Sequence, residues 1–112
     1  MLREGLCALI ELQRDMEVVA AARFGDEAVQ RFMQHRPHVT LMDLDLPGAA
    51  GVQAIRAIRQ IDPSACVIGL FTYECDESRD KALQAGARKC LVKDHLNHDL
   101  LSYIRESQQS LY

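Results

Sequence analysis

The sequence has no apolar run that approaches the roughly 20 residues needed by a membrane-spanning helix. Its N-terminus also lacks the apolar core and small-residue cleavage site of a signal peptide. Positive charge is scarce, since 13 lysines and arginines stand against 16 acidic residues and give a net charge of -3. A basic surface for nucleic acid is therefore not indicated. We expect a cytoplasmic protein that neither enters a membrane nor binds nucleic acid directly.

Several motifs for cofactors and covalent cross-links are also missing. None of the four cysteines has the two-residue spacing of a zinc knuckle or redox motif. We interpret all four as reduced, with Cys66 and Cys90 buried as small apolar side chains inside apolar strands. Of the two H-x-x-H pairs, His35/His38 is interrupted by Pro37, and His95/His98 could share a helix face but has no further ligand near in sequence. The glycine-rich phosphate-binding motifs of nucleotide and flavin enzymes are absent too.

What the sequence does contain is an alternation of helical and strand periodicity over one domain-sized chain of 112 residues. Strands that read as continuous apolar runs between helices predict a parallel sheet with helices on both faces. The predicted helices are 1–13, 25–36, 49–61, 76–86 and 95–107, and the predicted strands are 16–21, 38–43, 66–71 and 90–92.

Polar residues stand where three of these strands end. Strand 38–43 ends at Asp43, Thr72 follows strand 66–71, and Lys93 follows strand 90–92. Because the carboxyl ends of parallel strands meet at one edge of a sheet, we expect these side chains to converge there. A carboxylate can attack phosphorus, while an ammonium and a hydroxyl can hold phosphoryl oxygens. The sequence therefore predicts a phosphoryl-transfer site.

Three segments resemble the receiver domain of bacterial two-component response regulators. "LMDLDLPGAAGVQAIRAIR" resembles the phosphoacceptor segment, "ALQAGARKCLVKD" the lysine strand, and "LREGLCALIE" the first helix of the NarL/FixJ-type subfamily. The resemblance implies a flavodoxin-like (CheY-like), doubly wound parallel α/β sheet whose first strand is absent, leaving four strands with helices on both faces. It also implies that residues 1–112 form a single, truncated receiver domain without an output domain.

The resemblance assigns roles to individual residues. Asp43 matches the aspartate that accepts a phosphoryl group from a sensor histidine kinase, and Lys93 matches the lysine that pairs with it. Asp45 matches the position whose backbone carbonyl binds Mg²⁺, to which Asp43 is also a ligand. Thr72 is the candidate hydroxyl. Such a domain is not an enzyme beyond phosphorylating and dephosphorylating itself, and its place is in transcriptional signalling.

Three departures from the family pattern bear on these roles. The acidic pair that normally binds Mg²⁺ is missing, so we expect weak or lost Mg²⁺ binding. The switch hydroxyl position aligns with Phe71 rather than Thr72, and the coupling aromatic aligns with Cys90. Without a first strand, we expect an altered four-stranded sheet or a less stable chain that forms homodimers. The alternative function is a degenerate, phosphorylation-independent receiver that serves as a protein interaction module.

Overall fold

The computed structural model describes residues 2–72, 76–93 and 96–109. These residues form five helices and three strands; two helices come first, strands and helices then alternate, and a short 3-10 turn at Pro47–Ala49 precedes the third helix. The helices are α1 (Leu2–Glu11), α2 (Gly25–His35), α3 (Ala50–Ile61), α4 (Asp76–Ala85) and α5 (Leu96–Gln109). The strands are β1 (Val39–Asp43), β2 (Cys66–Phe71) and β3 (Lys89–Val92).

The three strands form one parallel sheet in the order β1-β2-β3. All six residues of β2 are buried, as expected of a central strand with helices on both faces. One apolar cluster joins the sheet to α2, α3 and α4 through side chains such as Phe32, Ile55 and Ala82. A second cluster joins the opposite face to α1 and α5 through Leu6 and Leu100. The flavodoxin-like class is thereby confirmed in its parallel sheet and two helical layers.

The prediction of a fourth strand at 16–21 is wrong. This segment carries no strand assignment, and the sheet of the described residues has three strands. Its backbone is tied to the rest of the chain by the Val18 N–H, which donates to Glu11 Oε1 at 3.2 Å. A short apolar run forms a strand only where a neighbour offers a ladder of hydrogen bonds, and here none is adjacent.

Two further expectations concern cysteines and membranes. Cys7, Cys66 and Cys90 are free thiols, and the latter two are buried as small apolar side chains, as expected. Cys75 lies outside the described residues. Within the described part of the chain, no helix combines the length and apolarity needed to cross a bilayer.

Candidate functional site

The carboxyl edge of the sheet brings the predicted residues together. β1 ends at Asp43, Thr72 directly follows β2, and Lys93 directly follows β3. Because β2 lies between the other two strands, a side chain that reaches from Lys93 to Asp43 must cross its end. The Lys93 side chain does so, and its ammonium Nζ lies 3.0 Å from Asp43 Oδ1. The topology of the sheet thus turns three distant sequence positions into one polar cluster.

Lys93 is shared between two carboxylates. Its Nζ also lies 2.8 Å from Asp45 Oδ2. The lysine side chain is 18% exposed, and each aspartate side chain is 39% exposed, so the pairs are only partly screened by water. Burial acts to lower the pKa of Lys93, but the hydrogen bonds to Asp45 and Asp43 outweigh it and raise that pKa. The ammonium therefore stays charged and held at this edge.

The Asp45 carboxylate has a role that the sequence interpretation missed, since only its backbone carbonyl was assigned. Asp45 Oδ2 accepts hydrogen bonds from the Thr72 N–H at 2.9 Å and the Thr72 hydroxyl at 2.5 Å, besides the contact with Lys93. Partial burial opposes ionisation, but these donors outweigh it and lower the pKa of Asp45. Asp45 therefore connects the ends of all three strands.

Asp43 is held from two directions. Its Oδ1 accepts the Asp45 N–H at 2.8 Å, which closes a tight turn after the strand. The same oxygen contacts Lys93. On the main chain, α3 begins against the Asp43 carbonyl oxygen, and a Cβ placed on Gly51 would lie 2.4 Å from that oxygen. The carboxylate is thus held by a turn and a charge, while α3 packs against the main chain that carries it.

Thr72 reaches the site from just beyond the end of β2, whereas the neighbouring Phe71 does not reach it. Phe71 is 2% exposed and packs in the core, whereas Thr72 lies one residue beyond β2 and contacts Asp45. Its described contacts are with Asp45 and not with Asp43. Cys90, at the other departing position, is buried on β3, and burial raises the pKa of its thiol. Neither Phe71 nor Cys90 contributes a polar group to the site.

The described residues at this edge do not by themselves fit a resident divalent cation. No group of three or more acidic, histidine or cysteine side chains suited to a metal occurs among the described residues. The described carboxylates at this edge, Asp43 and Asp45, are both already paired with the single positive charge of Lys93. Mg²⁺ keeps several waters and demands octahedral oxygen donors. This pair alone is a poor match for it.

Comparison with known proteins identifies the family of the chain. Residues 1–105 match the response regulator receiver domain family, and the chain belongs to that family. It is 36% identical over 104 residues to the oxygen regulatory protein NreC of Staphylococcus haemolyticus, covering 92% of this chain and 48% of that protein. It is also 36% identical over 92 residues to the transcriptional regulatory protein LnrK of Bacillus subtilis, covering 82% and 42%.

Solved structures of response regulators superpose closely on this chain. A LuxR-family two-component response regulator from Aurantimonas sp. SI85-9A1 superposes with a TM-score of 0.86 at 33% identity, over 94% of this chain and 75% of that one. The response regulator domain of Thermotoga maritima CheB superposes with a TM-score of 0.87 at 29% identity, over 96% and 88%. The chain is a NarL/FixJ-type receiver domain, a signalling domain rather than a classical enzyme, and it spans about half the length of the curated relatives it matches.

The shared ion pair predicts a pH dependence of stability. The lowered pKa of Asp45 means that its contribution is present above the unfolded value of about 3.9 and is lost as the pH falls through the folded value. The raised pKa of Lys93 means that its contribution is present below about 10.4 and is lost as the pH rises through the folded value.

We therefore expect the difference in urea midpoint between the parent and Asp45→Asn to shrink as the pH falls from about 5 to about 2. Asp15 and Asp62 also have lowered pKa values, but both proteins contain them, so their contributions cancel in the difference between the two urea midpoints. A difference that stays constant over this range would contradict the role given to the Asp45 carboxylate.

Proposed function

We propose that the chain accepts a phosphoryl group on Asp43 from a sensor histidine kinase. The observation that supports this most directly is the 3.0 Å contact between Lys93 Nζ and Asp43 Oδ1 at the carboxyl edge of the sheet. In such sheets that edge is where ligands bind. An ammonium beside a carboxylate provides the positive charge that a dianionic phosphoryl group needs to approach it.

The transfer would move one group and break one bond. An oxygen of the Asp43 carboxylate attacks phosphorus as the phosphorus–nitrogen bond to the kinase histidine breaks, and the imidazole leaves with the electron pair and is protonated at that nitrogen. Oδ1 already accepts two hydrogen bonds, from Asp45 and Lys93, so Oδ2 is the freer oxygen among the described contacts. Catalysis here is largely positioning and charge stabilisation, which suits a site with few groups.

Asp45 is proposed to restrain the unphosphorylated site. Its carboxylate binds both Lys93 and Thr72, the two donors that would otherwise contact phosphoryl oxygens. An incoming phosphoryl group must therefore draw Lys93 away from Asp45. Release of Thr72 from Asp45 would then be the structural change that follows phosphorylation.

The test is the intact mass after incubation with acetyl phosphate, run with and without excess Mg²⁺ in the buffer. We expect the parent to gain one phosphoryl group and Asp43→Asn to gain none, because the amide is not a nucleophile. The matched control is Asp62→Asn, which alters a half-buried carboxylate that follows α3 and accepts hydrogen bonds from Ser64, away from the carboxyl edge of the sheet. Equal labelling of Asp43→Asn and the parent would refute the assignment of Asp43.

A second candidate is the phosphorylation-independent interaction module. Two observations favour it. Phe71 is buried where the family has its switch hydroxyl, and the Asp45 carboxylate already forms an ion pair with Lys93. A parent that folds cooperatively but gains no mass with either buffer would select this function. Partner binding that survives Asp43→Asn would support it in turn.

The cellular location, the partners and the regulatory output of this domain are also proposals. The curated relatives are regulatory proteins by name, and the chain covers about half of each, so a role in transcriptional control would depend on residues outside the matched part. We propose that the chain works in the cytoplasm beside its kinase, that homodimers form, and that this domain does not itself contact DNA.

A further inference from the structure

Four cations lie along the edge of the sheet at which the strands begin, opposite to the edge that holds Asp43. Arg36 directly follows α2, and Arg59 lies in the last turn of α3. Arg88 and Lys89 stand where β3 begins. In a parallel sheet the crossover helices run back towards this edge, so the ends of α2 and α3 meet the start of β3 there. We call these four residues the amino-edge band.

The band is continuous across the structure. Hydrogen bonds from Ser64 lower the pKa of Asp62, and the positive charges of Arg36 and Arg59 act on that carboxylate in the same direction. The stem of Arg59 then lies against the turn before β3, because a Cβ placed on Gly86 would be 2.6 Å from Arg59 Cγ. The band therefore runs from the end of α2, across the end of α3, to the start of β3.

Three cations of the band are held in place by the fold. The Arg36 guanidinium lies over the Phe32 ring, with its Cζ 5.4 Å from the ring centroid. The Arg59 guanidinium donates from Nη1 to a main-chain carbonyl of the connection between α3 and β2 at 3.1 Å. On β3, Lys89 Nζ lies 4.7 Å from the centroid of the Tyr103 ring. Long side chains that are fixed in this way lose less conformational entropy when a ligand binds.

The charge of the band is not neutralised by ion pairs. Among the described residues, none of its four members forms an ion pair shorter than 4 Å. The Asp62 carboxylate, on which two of them act, already accepts the Ser64 N–H at 3.0 Å and the Ser64 hydroxyl at 2.8 Å. Three of the four residues are exposed, and Arg59 is half-buried. The band therefore offers positive charge to a ligand that supplies carboxylates.

The backbone at Arg36 adds a separate indication. Its φ of 45° and ψ of 59° are left-handed, at a position after a helix where glycine or asparagine is usual. The helix dipole stabilises a cation at this end, but typically by less than the steric cost of a left-handed residue that has a Cβ. The dipole also gives no reason for Arg88 and Lys89, which stand at the start of a strand. Helix ends alone therefore do not explain the band.

We propose that the amino-edge band binds an extended acidic segment of another protein. Two strand spacings, about 10 Å, separate the outer strands of the sheet. Carboxylates at positions i, i+2 and i+4 of an extended chain share one face and cover about 13 Å, which is comparable with that width. Guanidinium groups bind carboxylates through paired, charge-assisted hydrogen bonds. The net charge of -3 disfavours a long polyanion such as DNA.

The test uses two fluorescein-labelled peptides of equal charge, Glu-Ser-Glu-Ser-Glu and Glu-Glu-Glu-Ser-Ser, each added to the full chain at low salt. We expect saturable binding of the alternating peptide by fluorescence polarisation. It should bind roughly fivefold more tightly than the block peptide, because all three of its carboxylates share one face. Asp43→Asn should bind it as the parent does, because the proposal is independent of phosphorylation and Asp43 lies at the opposite edge.

Charge-matched variants locate the peptide on the band. Arg36→Gln with Arg88→Gln should weaken binding of the alternating peptide by about tenfold or more. The matched control is Arg14→Gln with Arg23→Gln, which removes the same charge from two exposed residues outside the band. We expect the control to weaken binding by less than about twofold, because distant exposed charges are screened.

Arg36→Gly separates binding from stability. Glycine adopts the left-handed conformation without a steric cost, so the Tm of the free protein should rise by roughly 5 °C. Binding of the alternating peptide should weaken by about threefold or more, because one guanidinium is lost. An arginine that serves only the fold would change the Tm and leave peptide binding unchanged.

Three results would overturn the proposal. If neither peptide binds a protein that melts cooperatively, the band is not a docking surface. Equal affinities for the two peptides, or equal losses in the two double variants, would reduce the band to general attraction between opposite charges. Displacement of the alternating peptide by an equimolar amount of double-stranded DNA would assign the band to nucleic acid instead.

Discussion

Replacing Gly51 with alanine is expected to lower the free energy of unfolding by about 2 kcal/mol or more and the Tm by roughly 10 °C. The added Cβ would lie 2.4 Å from the Asp43 carbonyl oxygen, a distance that no side-chain rearrangement can relieve, because the oxygen is a main-chain atom and the position of the Cβ is fixed by the backbone of α3. Overpacking of this kind typically costs about 1–3 kcal/mol, sometimes more. The better helix propensity of alanine offsets at most about 1 kcal/mol.

The matched control is Gly5→Ala on α1, where an added Cβ meets nothing within 4 Å. We expect that variant to gain up to about 1 kcal/mol, because only helix propensity and chain entropy change. Thermal and urea unfolding of both variants give the comparison. If Gly51→Ala were as stable as Gly5→Ala, α3 would not be seated against the end of β1, and the positioning of Asp43 would need another explanation.

Much of this architecture could be predicted from the sequence. The segments that pack in the core are also those whose apolar residues recur with a clear strand or helix period. The segments 38–43, 66–71 and 90–92 are strands to within one residue, and all five helices lie where predicted. The segment 16–21 has an equally apolar composition but forms no strand. An apolar composition indicates that a segment can be buried. A strand also needs a neighbouring strand to pair with, and whether one is present depends on the rest of the sheet.

The site was predicted less completely than the fold. Lys93 and Asp43 converge as expected from parallel strand ends. The Asp45 carboxylate was missed because the family resemblance directed attention to its main chain. The available indication was that Asp45 lies just beyond the end of β1, at the edge where Thr72 and Lys93 were already expected. Thr72 was predicted to reach the edge, but its partner is Asp45, which the strand register alone could not reveal.

Replacing Lys93 with methionine is expected to lower the initial rate of labelling by acetyl phosphate about 100-fold or more. Methionine keeps most of the length and apolar bulk of the lysine stem while removing the ammonium that lies 3.0 Å from Asp43. Loss of one preorganised charge that meets the phosphoryl oxygens typically has an effect of this size. Stability should fall much less, by about 1 kcal/mol, because both carboxylates are partly exposed and can be hydrated instead.

The matched variant is Asp45→Asn, which removes one partner of Lys93 and leaves the ammonium in place. If Asp45 restrains the site, this change should raise the labelling rate several-fold, because Lys93 is released towards Asp43 and the dianionic donor meets one negative charge fewer. Opposite responses of Lys93→Met and Asp45→Asn would therefore separate a charge that assists transfer from one that opposes it. A slower Asp45→Asn would instead mean that the second carboxylate helps to hold a cation during transfer, and the restraint assigned to it would be wrong.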